Sequence, residues 1–171
     1  MGIVMEQLGL FDTSRSVEKN RWKLFVDGAS KNNPGPSGAG IYIVKNDALF
    51  IKCGYYLGLK TNNQAEYLAL ILGLFIVSEH SSSDDSVHIV SDSLLLVRQI
   101  MGLYKVNHPH LKPLHMLAQK KVRAMNAVIT HVLRAENTEA DEMANQGVKY
   151  KNFPPKHYIE QLKHYDITLE G

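Results

Sequence analysis

The sequence predicts an α/β domain, and three observations lead to that prediction. Three strand-like segments with short connections follow one another in the N-terminal third, which implies an antiparallel meander. After residue 60 the apolar residues recur at helical spacing, and helical and strand-like segments then alternate. With 171 residues, 44% of them hydrophobic, the chain is long enough for one domain with a sizeable core.

The predicted meander begins with the apolar run from Trp22 to Asp27. The Gly, Pro, Asn and Ser residues that follow favour a loop and are not expected to continue the strand. The second strand is predicted over 38–44 and the third over 49–57, because apolar residues alternate with others in both segments. The pair Asn46-Asp47 supplies the turn between them.

The first helix is predicted from Thr61 or Asn62, either of which can cap it, to about Ser78. The remaining elements are predicted in the same way, from the spacing of apolar residues, from capping residues and from the Gly and Pro residues that end them. They are a strand over 87–91, a helix over 93–101, a helix after Pro113 to about 125, a strand over 127–133, a helix over 138–149 and a short helix over 158–164.

Composition narrows the class of protein only a little. The net charge of +2 and the pI of about 8.6 permit a nucleic-acid partner without indicating one. The single Cys53 cannot form an internal disulfide, and neither a secretion signal nor a bilayer-spanning apolar run is apparent. We therefore expect a cytoplasmic monomer that does not enter a membrane.

The chain is predicted to divide into a mobile arm over 1–20, a domain over 21–150 and a tail over 151–171. The arm has one apolar island, Gln7-Leu8-Gly9-Leu10-Phe11. This island resembles the peptide with which bacterial replication and repair proteins bind the sliding clamp, in which Leu and Phe fill a pocket. The alternative is that Leu8, Leu10 and Phe11 pack on the chain's own domain.

Four carboxylates stand at comparable places, at strand ends or helix starts: Asp27, Glu66, Asp92 and Asp141. Each has a local explanation, namely a turn, the dipole of a helix, an N-cap and a capping box, respectively. If they converge, however, they raise one another's pKa, and a divalent cation relieves the repulsion. Oxygen ligands without Cys or His select Mg²⁺ or Mn²⁺, and two such ions about 4 Å apart would cleave phosphodiesters.

Four motifs in order resemble the signatures of type 1 ribonuclease H, over roughly 21–150. They are Phe25-Val26-Asp27-Gly28-Ala29-Ser30-x-x-Asn33-Pro34-Gly35-Pro36, Thr61-Asn62-Asn63-x-Ala65-Glu66, Val90-Ser91-Asp92-Ser93 and Asn137-x-x-Ala140-Asp141-x-x-Ala144-Asn145. The resemblance implies the ribonuclease H-like fold, a mixed five-stranded sheet flanked by helices. It also implies metal-dependent cleavage of the RNA strand of RNA/DNA hybrids to 5′-phosphate and 3′-hydroxyl ends, with the four carboxylates as metal ligands.

The same resemblance places the hybrid-contacting residues in two segments, at the loop after the first strand and at the start of the first helix. These residues are Gly28, Asn33, Thr61, Asn62, Asn63 and Gln64. Asn amides can donate and accept hydrogen bonds, which suits recognition of the 2′-hydroxyl that distinguishes RNA from DNA. Thr61 and Asn33 are suited to a phosphate of the DNA strand. Capping and turn formation are the alternative roles for the Asn residues.

Three features depart from the family pattern. Leu94 stands where some members have a base-contacting Gln, and the loop over 103–111 lacks the basic protrusion of some bacterial members. The N-terminal arm is too short for a separate hybrid-binding domain. We therefore expect weak, salt-sensitive binding of the hybrid. His131 lies at the same distance before Asp141 as the family's auxiliary His, but it falls within a predicted strand, and the segment over 133–137 is short. We interpret the auxiliary loop as missing and His131 as structural; the alternative is that His131 is the auxiliary His.

Two rival functions remain open from the sequence. Another nuclease of the same fold is disfavoured by the Asn-Pro-Gly-Pro and Asn-Asn-x-Ala-Glu runs. A non-catalytic hybrid-binding or clamp-binding module is disfavoured by the four acids, because binding alone does not require four mutually repelling carboxylates.

Overall fold

The structure is a computed structural model that describes residues 18–169. Within that range the chain forms five strands, five α-helices and one short 3₁₀ turn. They are β1 (Arg21–Ser30), β2 (Gly35–Lys45), β3 (Ala48–Lys60), α1 (Asn62–His80), β4 (Ser86–Ser91), α2 (Leu94–Ile100), α3 (Lys112–Ala124), β5 (Val128–His131), the 3₁₀ turn (Arg134–Glu136), α4 (Thr138–Tyr150) and α5 (Lys156–Lys163).

The strands form one mixed sheet in the order β3-β2-β1-β4-β5. The first three pair antiparallel as a meander, whereas β4 is parallel to both β1 and β5. Helix α1 makes the crossover from the meander to β4, and α2 and α3 make the crossover to β5, because parallel neighbours need such long connections. The predicted α/β fold with a mixed five-stranded sheet is confirmed.

Helix α1 forms the centre of the core on one face of the sheet. Every residue from Tyr67 to Val77 is buried, because the helix packs on β1 and β2 on one side and on α3 on the other. A helix that is apolar around its whole circumference needs such cover on all sides. No helix between residues 18 and 169 combines the length and the hydropathy needed to cross a membrane.

Helix α4 lies on the opposite face of the sheet, and its backbone comes closest to the strands where a strand carries glycine. A Cβ atom at Gly40 of β2 would lie 1.8 Å from the Ala140 carbonyl oxygen and 2.5 Å from the Ala144 backbone nitrogen. Only the absence of a side chain at this position allows the helix backbone to rest directly on the strand. The start of α4, which carries Asp141, is thereby held at a fixed distance from β1 and β2.

The residues after α4 return to cover α1. Tyr158 and Leu162 of α5 are buried, and the Tyr158 ring lies 5.6 Å from that of Phe75, centroid to centroid. The Tyr158 hydroxyl donates a hydrogen bond of 2.6 Å to Glu79. This segment therefore contributes to the core of the described part of the chain, with Ile167 and Leu169 also buried.

The observed bounds differ from the predicted ones mainly around the first loop. β1 continues to Ser30 and β2 begins at Gly35, so the predicted loop shrinks to four residues. The small residues of this segment pair regularly between β1 and β2, with Ala29 opposite Gly38. The Ser37 hydroxyl donates to the Gly35 and Lys60 carbonyls. The last strand is shorter than predicted, since the 3₁₀ turn follows soon after it.

Candidate active site

The parallel pairing of β1 with β4 places two of the four acids side by side. Val26 pairs with Ser91, so Asp27, inside β1, lies beside Asp92, which directly follows β4. Since β1 continues to Ser30, the explanation of Asp27 as part of a turn is wrong. Asp27 is only 5% exposed, which is unusual for an acidic side chain. Asp92 does not cap α2, because the neighbouring Ser93 side chain accepts the hydrogen bond from the Leu96 backbone at 3.3 Å. The N-cap explanation for Asp92 is therefore wrong.

The other two acids come from helices on opposite faces of the sheet. Glu66 is beyond the first turn of α1, which contains no acidic residue, so the helix dipole does not account for it. Asp141 is in the first turn of α4, whose N-cap residue is Asn137 rather than Thr138. All four carboxylates line one pocket of about 300 Å³.

The electrostatics of this pocket disfavour full ionisation. Burial, the charge of Asp92 and a hydrogen-bonding contact with Asp141 raise the pKa of Asp27 to about 8, against the lowering effect of a contact with Glu66. Burial raises the pKa of Glu66 well above its ordinary value, and the charges of Asp27 and Asp92 add to that shift. Carboxylates this close need a shared proton or a cation between them.

Asn137 fixes the position of Asp92, a role that the sequence reasoning missed. Its side-chain amide donates to the Val26 carbonyl at 2.9 Å and to the Asp92 carboxylate at 3.0 Å. The residue is 2% exposed and thus ties α4 to both central strands. The sequence offers no signal for this role, because an Asn just before a helix is ordinarily interpreted as its cap.

Basic and amide side chains surround the acids at the rim of the pocket. Arg134 forms an ion pair of 3.3 Å with Asp141, and its own side chain is largely exposed. The Lys31 ammonium, from the turn between β1 and β2, donates to the Asn145 side chain of α4 at 2.6 Å. Both cations line the same pocket as the four carboxylates. The sequence reasoning did not single out either of them.

The donor set fits a hard divalent cation. The four acids supply only oxygen ligands, and one carboxylate oxygen of Glu66, Oε2, is buried without a hydrogen-bond partner. No group of three or more acidic, His or Cys side chains between residues 18 and 169 stands in a ready-made ligating arrangement.

The six predicted hybrid-contacting residues are distributed over two adjacent pockets. Gly28 and Asn62 line the acidic pocket, while the other four line a second pocket of about 200 Å³ together with His108, His110 and Leu111. Those four are Asn33, Thr61, Asn63 and Gln64.

Some of these six residues also stabilise the local fold. Thr61 and Gln64 form a reciprocal capping box, with hydrogen bonds of 3.2 and 2.9 Å. Asn33 accepts a hydrogen bond of 3.0 Å from the Asn62 backbone, which ties the first turn to the start of α1. The side chains of Asn62 and Asn63 are exposed. Their roles in binding a hybrid stay predictions.

The structure shows where the residues that depart from the family pattern lie. Leu94, the first residue of α2, is 43% exposed, so the apolar side chain lies at the surface. The segment between α2 and α3 contains no helix and carries a single lysine, Lys105. His131 is the last residue of β5, where it pairs with Ser91, and it does not line the acidic pocket.

Comparison with known proteins shows which families share this arrangement. A family model described as reverse transcriptase-like matches residues 25–147. Ribonuclease HI of Halobacterium salinarum is 36% identical over 132 residues, which are 72% of this chain and 62% of that protein. Ribonuclease H of Wigglesworthia glossinidia brevipalpis is 30% identical over 166 residues, which are 86% of this chain and 99% of that protein.

Among solved structures, LC11-RNase H1 in complex with an RNA/DNA hybrid is similar to this chain. The TM-score is 0.70 at 33% sequence identity, and the similarity covers 77% of this chain and 98% of that one. The chain spans 62% of the length of the Halobacterium relative and 34% of the length of a bifunctional Mycobacterium tuberculosis relative, 35% identical over 126 residues. The residues matched by the family model, 25–147, include all four carboxylates of the acidic pocket.

Proposed function

The chain belongs to the type 1 ribonuclease H family, and on that premise we propose that it is an endoribonuclease that hydrolyses the RNA strand of RNA/DNA hybrids. One observation carries the proposal: four carboxylates, from two central strands and two helices, converge on a single pocket. A module that only binds nucleic acid gains nothing from buried acids, since they repel the phosphates that it must approach.

The four carboxylates would hold Mg²⁺ or Mn²⁺, and we propose two ions per site. When bound, such a pair activates the attacking water and stabilises the leaving oxygen. Attack on phosphorus then breaks its bond to the 3′ oxygen, which gives 5′-phosphate and 3′-hydroxyl ends. Asn137 would hold Asp92 in place during this reaction, and Lys31 and Arg134 offer positive charge to the substrate phosphates.

Recognition of the RNA strand would fall to the exposed amides at the start of α1. Asn62 lines the acidic pocket, and Asn63 lines the neighbouring one. An amide can both donate to and accept from a 2′-hydroxyl, a group that DNA lacks. Asn33 and Thr61 lie in the pocket farther from the acids, where we propose that they face the DNA strand.

The test is incubation of the purified protein with labelled RNA/DNA hybrid, double-stranded RNA and double-stranded DNA, with and without Mg²⁺ or Mn²⁺. We expect metal-dependent cleavage of the hybrid, with 5′-phosphate ends on the RNA fragments. Binding of the hybrid without cleavage in either metal would favour the non-catalytic module instead. Cleavage of DNA in preference to the hybrid would favour another nuclease of the same fold.

His131 is predicted to contribute little to turnover. It ends β5 outside the acidic pocket, so we expect His131→Ala to retain hybrid cleavage within about threefold of the unsubstituted protein. The measurement is kcat at saturating hybrid, with the melting temperature as a check on folding. A loss of about a hundredfold in a normally folded variant would identify His131 as a general acid or base.

The apolar island of the arm gives a separate proposal about a partner. Gln7–Phe11 lies outside the described residues, and the proposal rests on its sequence alone. We propose that it binds a bacterial sliding clamp with micromolar affinity, limited by the small area buried and the entropy lost on ordering. Calorimetry with the clamp should show binding that a Leu10→Ala/Phe11→Ala double variant loses. Equal affinity for both proteins would rule it out.

A further inference from the structure

Lys60 is a largely buried lysine, and its ammonium has no counterion between residues 18 and 169. It is the last residue of β3, it directly precedes the cap of α1, and the residue as a whole is only 9% exposed. No ion pair or side-chain hydrogen bond joins its ammonium to another residue in the part of the chain that the structure describes. Its backbone carbonyl accepts hydrogen bonds from the Ser30 and Ser37 hydroxyls. Burial lowers the pKa of Lys60, and no charge offsets that effect. An unpaired ammonium that has lost part of its hydration is stabilised when an anion reaches it.

The Lys60 side chain lines a pocket of about 220 Å³, which we call the Lys60 pocket. The walls are formed by α1, the start of α3 and the residues after α5. Gln64 and His110 provide hydrogen-bonding groups, and Asp166 is the acidic residue of the lining. The rest of the lining is partly apolar and carries no charge that could pair with the ammonium. These apolar residues are Leu68, Leu114 and Ile167.

The Lys60 pocket adjoins the second of the two pockets that hold predicted hybrid contacts. Gln64 and His110 line both of them. A strand that passes Asn33 and Asn63 and continues away from the acids would therefore reach the Lys60 pocket next. Consecutive phosphates along one strand are several ångströms apart, so adjacent pockets can each take one.

We propose that the Lys60 pocket binds a backbone phosphate of the hybrid, one position farther from the acidic pocket than the phosphate expected at Asn33 and Thr61. The inference rests on the proposed function, since it assumes that a hybrid occupies the cleft. The Lys60 ammonium would form the ion pair, while the Gln64 amide and the His110 ring donate hydrogen bonds to phosphate oxygens. Asp166 opposes the phosphate and so limits the strength of binding.

The alternative is that Lys60 is structural, with its aliphatic stem packed on Leu68 and Ile167 and its charge directed to solvent. The two roles differ in their dependence on salt. A phosphate contact releases counterions, so its removal lowers the slope of log affinity against log salt by about 0.9. A purely packed stem contributes nothing to that slope.

The experiment measures hybrid binding by fluorescence anisotropy in EDTA, which prevents cleavage, at several salt concentrations between about 50 and 200 mM. The Lys60→Met variant keeps the stem and removes the charge. We expect its affinity at the lowest salt to fall about tenfold and its salt slope to decrease by about 0.9. Its melting temperature should not fall, because the aliphatic stem is kept and an unpaired, partly desolvated charge is removed.

Two further variants complete the test, one expected to bind the hybrid more tightly and one expected to bind it unchanged. Asp166→Asn removes the opposing charge, and Asn tolerates the positive φ of 58° at this position, so we expect tighter binding. Lys156→Met removes an exposed lysine beside the far end of α1, about 20 Å from Gln64 along the helix, and should leave affinity and slope unchanged.

The outcomes separate this inference from the proposed function. If the unsubstituted protein neither binds nor cleaves the hybrid, the proposed function fails. If it binds, and Lys60→Met and Asp166→Asn both match its affinity and salt slope, the function stands and the phosphate site is wrong. A Lys60→Met variant that fails to fold leaves Asp166→Asn to decide, because that substitution does not alter the lysine.

Discussion

Replacing Asp27 by Asn is expected to lower the rate of hybrid cleavage by at least about a thousandfold, the effect of losing roughly 4 kcal/mol of transition-state stabilisation. Asp27 is the most central of the four acids, since burial and the proximity of Asp92, Asp141 and Glu66 all act on it. Asparagine keeps the shape of the side chain but cannot neutralise a cation. Asp92→Asn should behave in the same way. The measurement is single-turnover cleavage of labelled hybrid in Mg²⁺.

The same substitution is expected to stabilise the fold. An acid whose pKa is raised from 3.8 to about 8 binds more protons in the folded than in the unfolded state between these values. In EDTA, the free energy of unfolding should therefore decrease as the pH rises from about 4 to 8. Asp27→Asn removes this decrease and should raise stability at pH 8 by about 1 to 3 kcal/mol.

Asp85 offers a matched control, because its pKa is lowered whereas that of Asp27 is raised. Burial alone would raise the pKa of Asp85, but hydrogen bonds from Trp22, Asn20 and Ser82 bring it below its ordinary value. Its contribution to stability is present above the unfolded pKa and is lost as the pH falls. Asp85→Asn should thus lower the melting temperature at pH 8. It should leave cleavage unchanged, since Trp22 is five residues from Asp27, about 17 Å along β1.

Cleavage at the unsubstituted rate by Asp27→Asn or Asp92→Asn would contradict the assignment of the acids. A lower melting temperature for Asp27→Asn in EDTA would contradict the repulsion between them. Because the two measurements are independent, a variant that is inactive and also unstable would indicate a structural role for Asp27 rather than a catalytic one.

The sequence predicted the fold because its signals are local: alternating apolar residues mark β1, β4 and the meander. The four acids stood out because each belongs to a local motif, and their roles stay predictions. Convergence of the acids could not be read from spacing alone. It depends on the pairing of Val26 with Ser91 and on the close approach of α4 to Gly40. Both are contacts between residues far apart in the chain.

Other features could not be predicted because long-range contacts override local preference. The Gly- and Pro-rich stretch joins the sheet since β1 and β3 satisfy its backbone on both sides. The side-chain amide of Asn137 donates hydrogen bonds to Val26 and Asp92, which are distant in the chain, so the sequence could not show these contacts. For the residues after Tyr150 the sequence predicted a short helix, but not that Tyr158 of this helix packs on Phe75 of α1.

The second large effect is expected for Gly28→Ala, which should lower kcat for hybrid cleavage by at least about a hundredfold. A Cβ atom at position 28 would lie 2.3 Å from the Glu66 backbone nitrogen and 2.4 Å from the Ala65 carbonyl carbon. Ordinary contact requires α1 to retreat by about 1 Å, and a displacement of that size at a catalytic group costs about two orders of magnitude. Overpacking should also lower stability by about 1 to 3 kcal/mol.

Gly102→Ala is the matched control for this prediction. Gly102 has a φ of 77°, and a methyl group added there would meet no atom within 4 Å among the described residues. Alanine at this position therefore introduces backbone strain of about 1 kcal/mol without a clash. Cleavage should remain within about threefold of the unsubstituted rate, because no acid moves.

The division of the Gly28→Ala effect between kcat and KM distinguishes two roles for this glycine. The family resemblance gives Gly28 a contact with the hybrid, and loss of such a contact would raise KM while kcat stays nearly constant. Displacement of Glu66 instead lowers kcat, because it disturbs a group that acts on the reacting phosphate. A normal kcat with a raised KM would therefore show that α1 accommodates the methyl group and that Gly28 serves the substrate directly. We expect the opposite result, because the atoms that the methyl group meets belong to the helix backbone, which cannot rotate away as a side chain can.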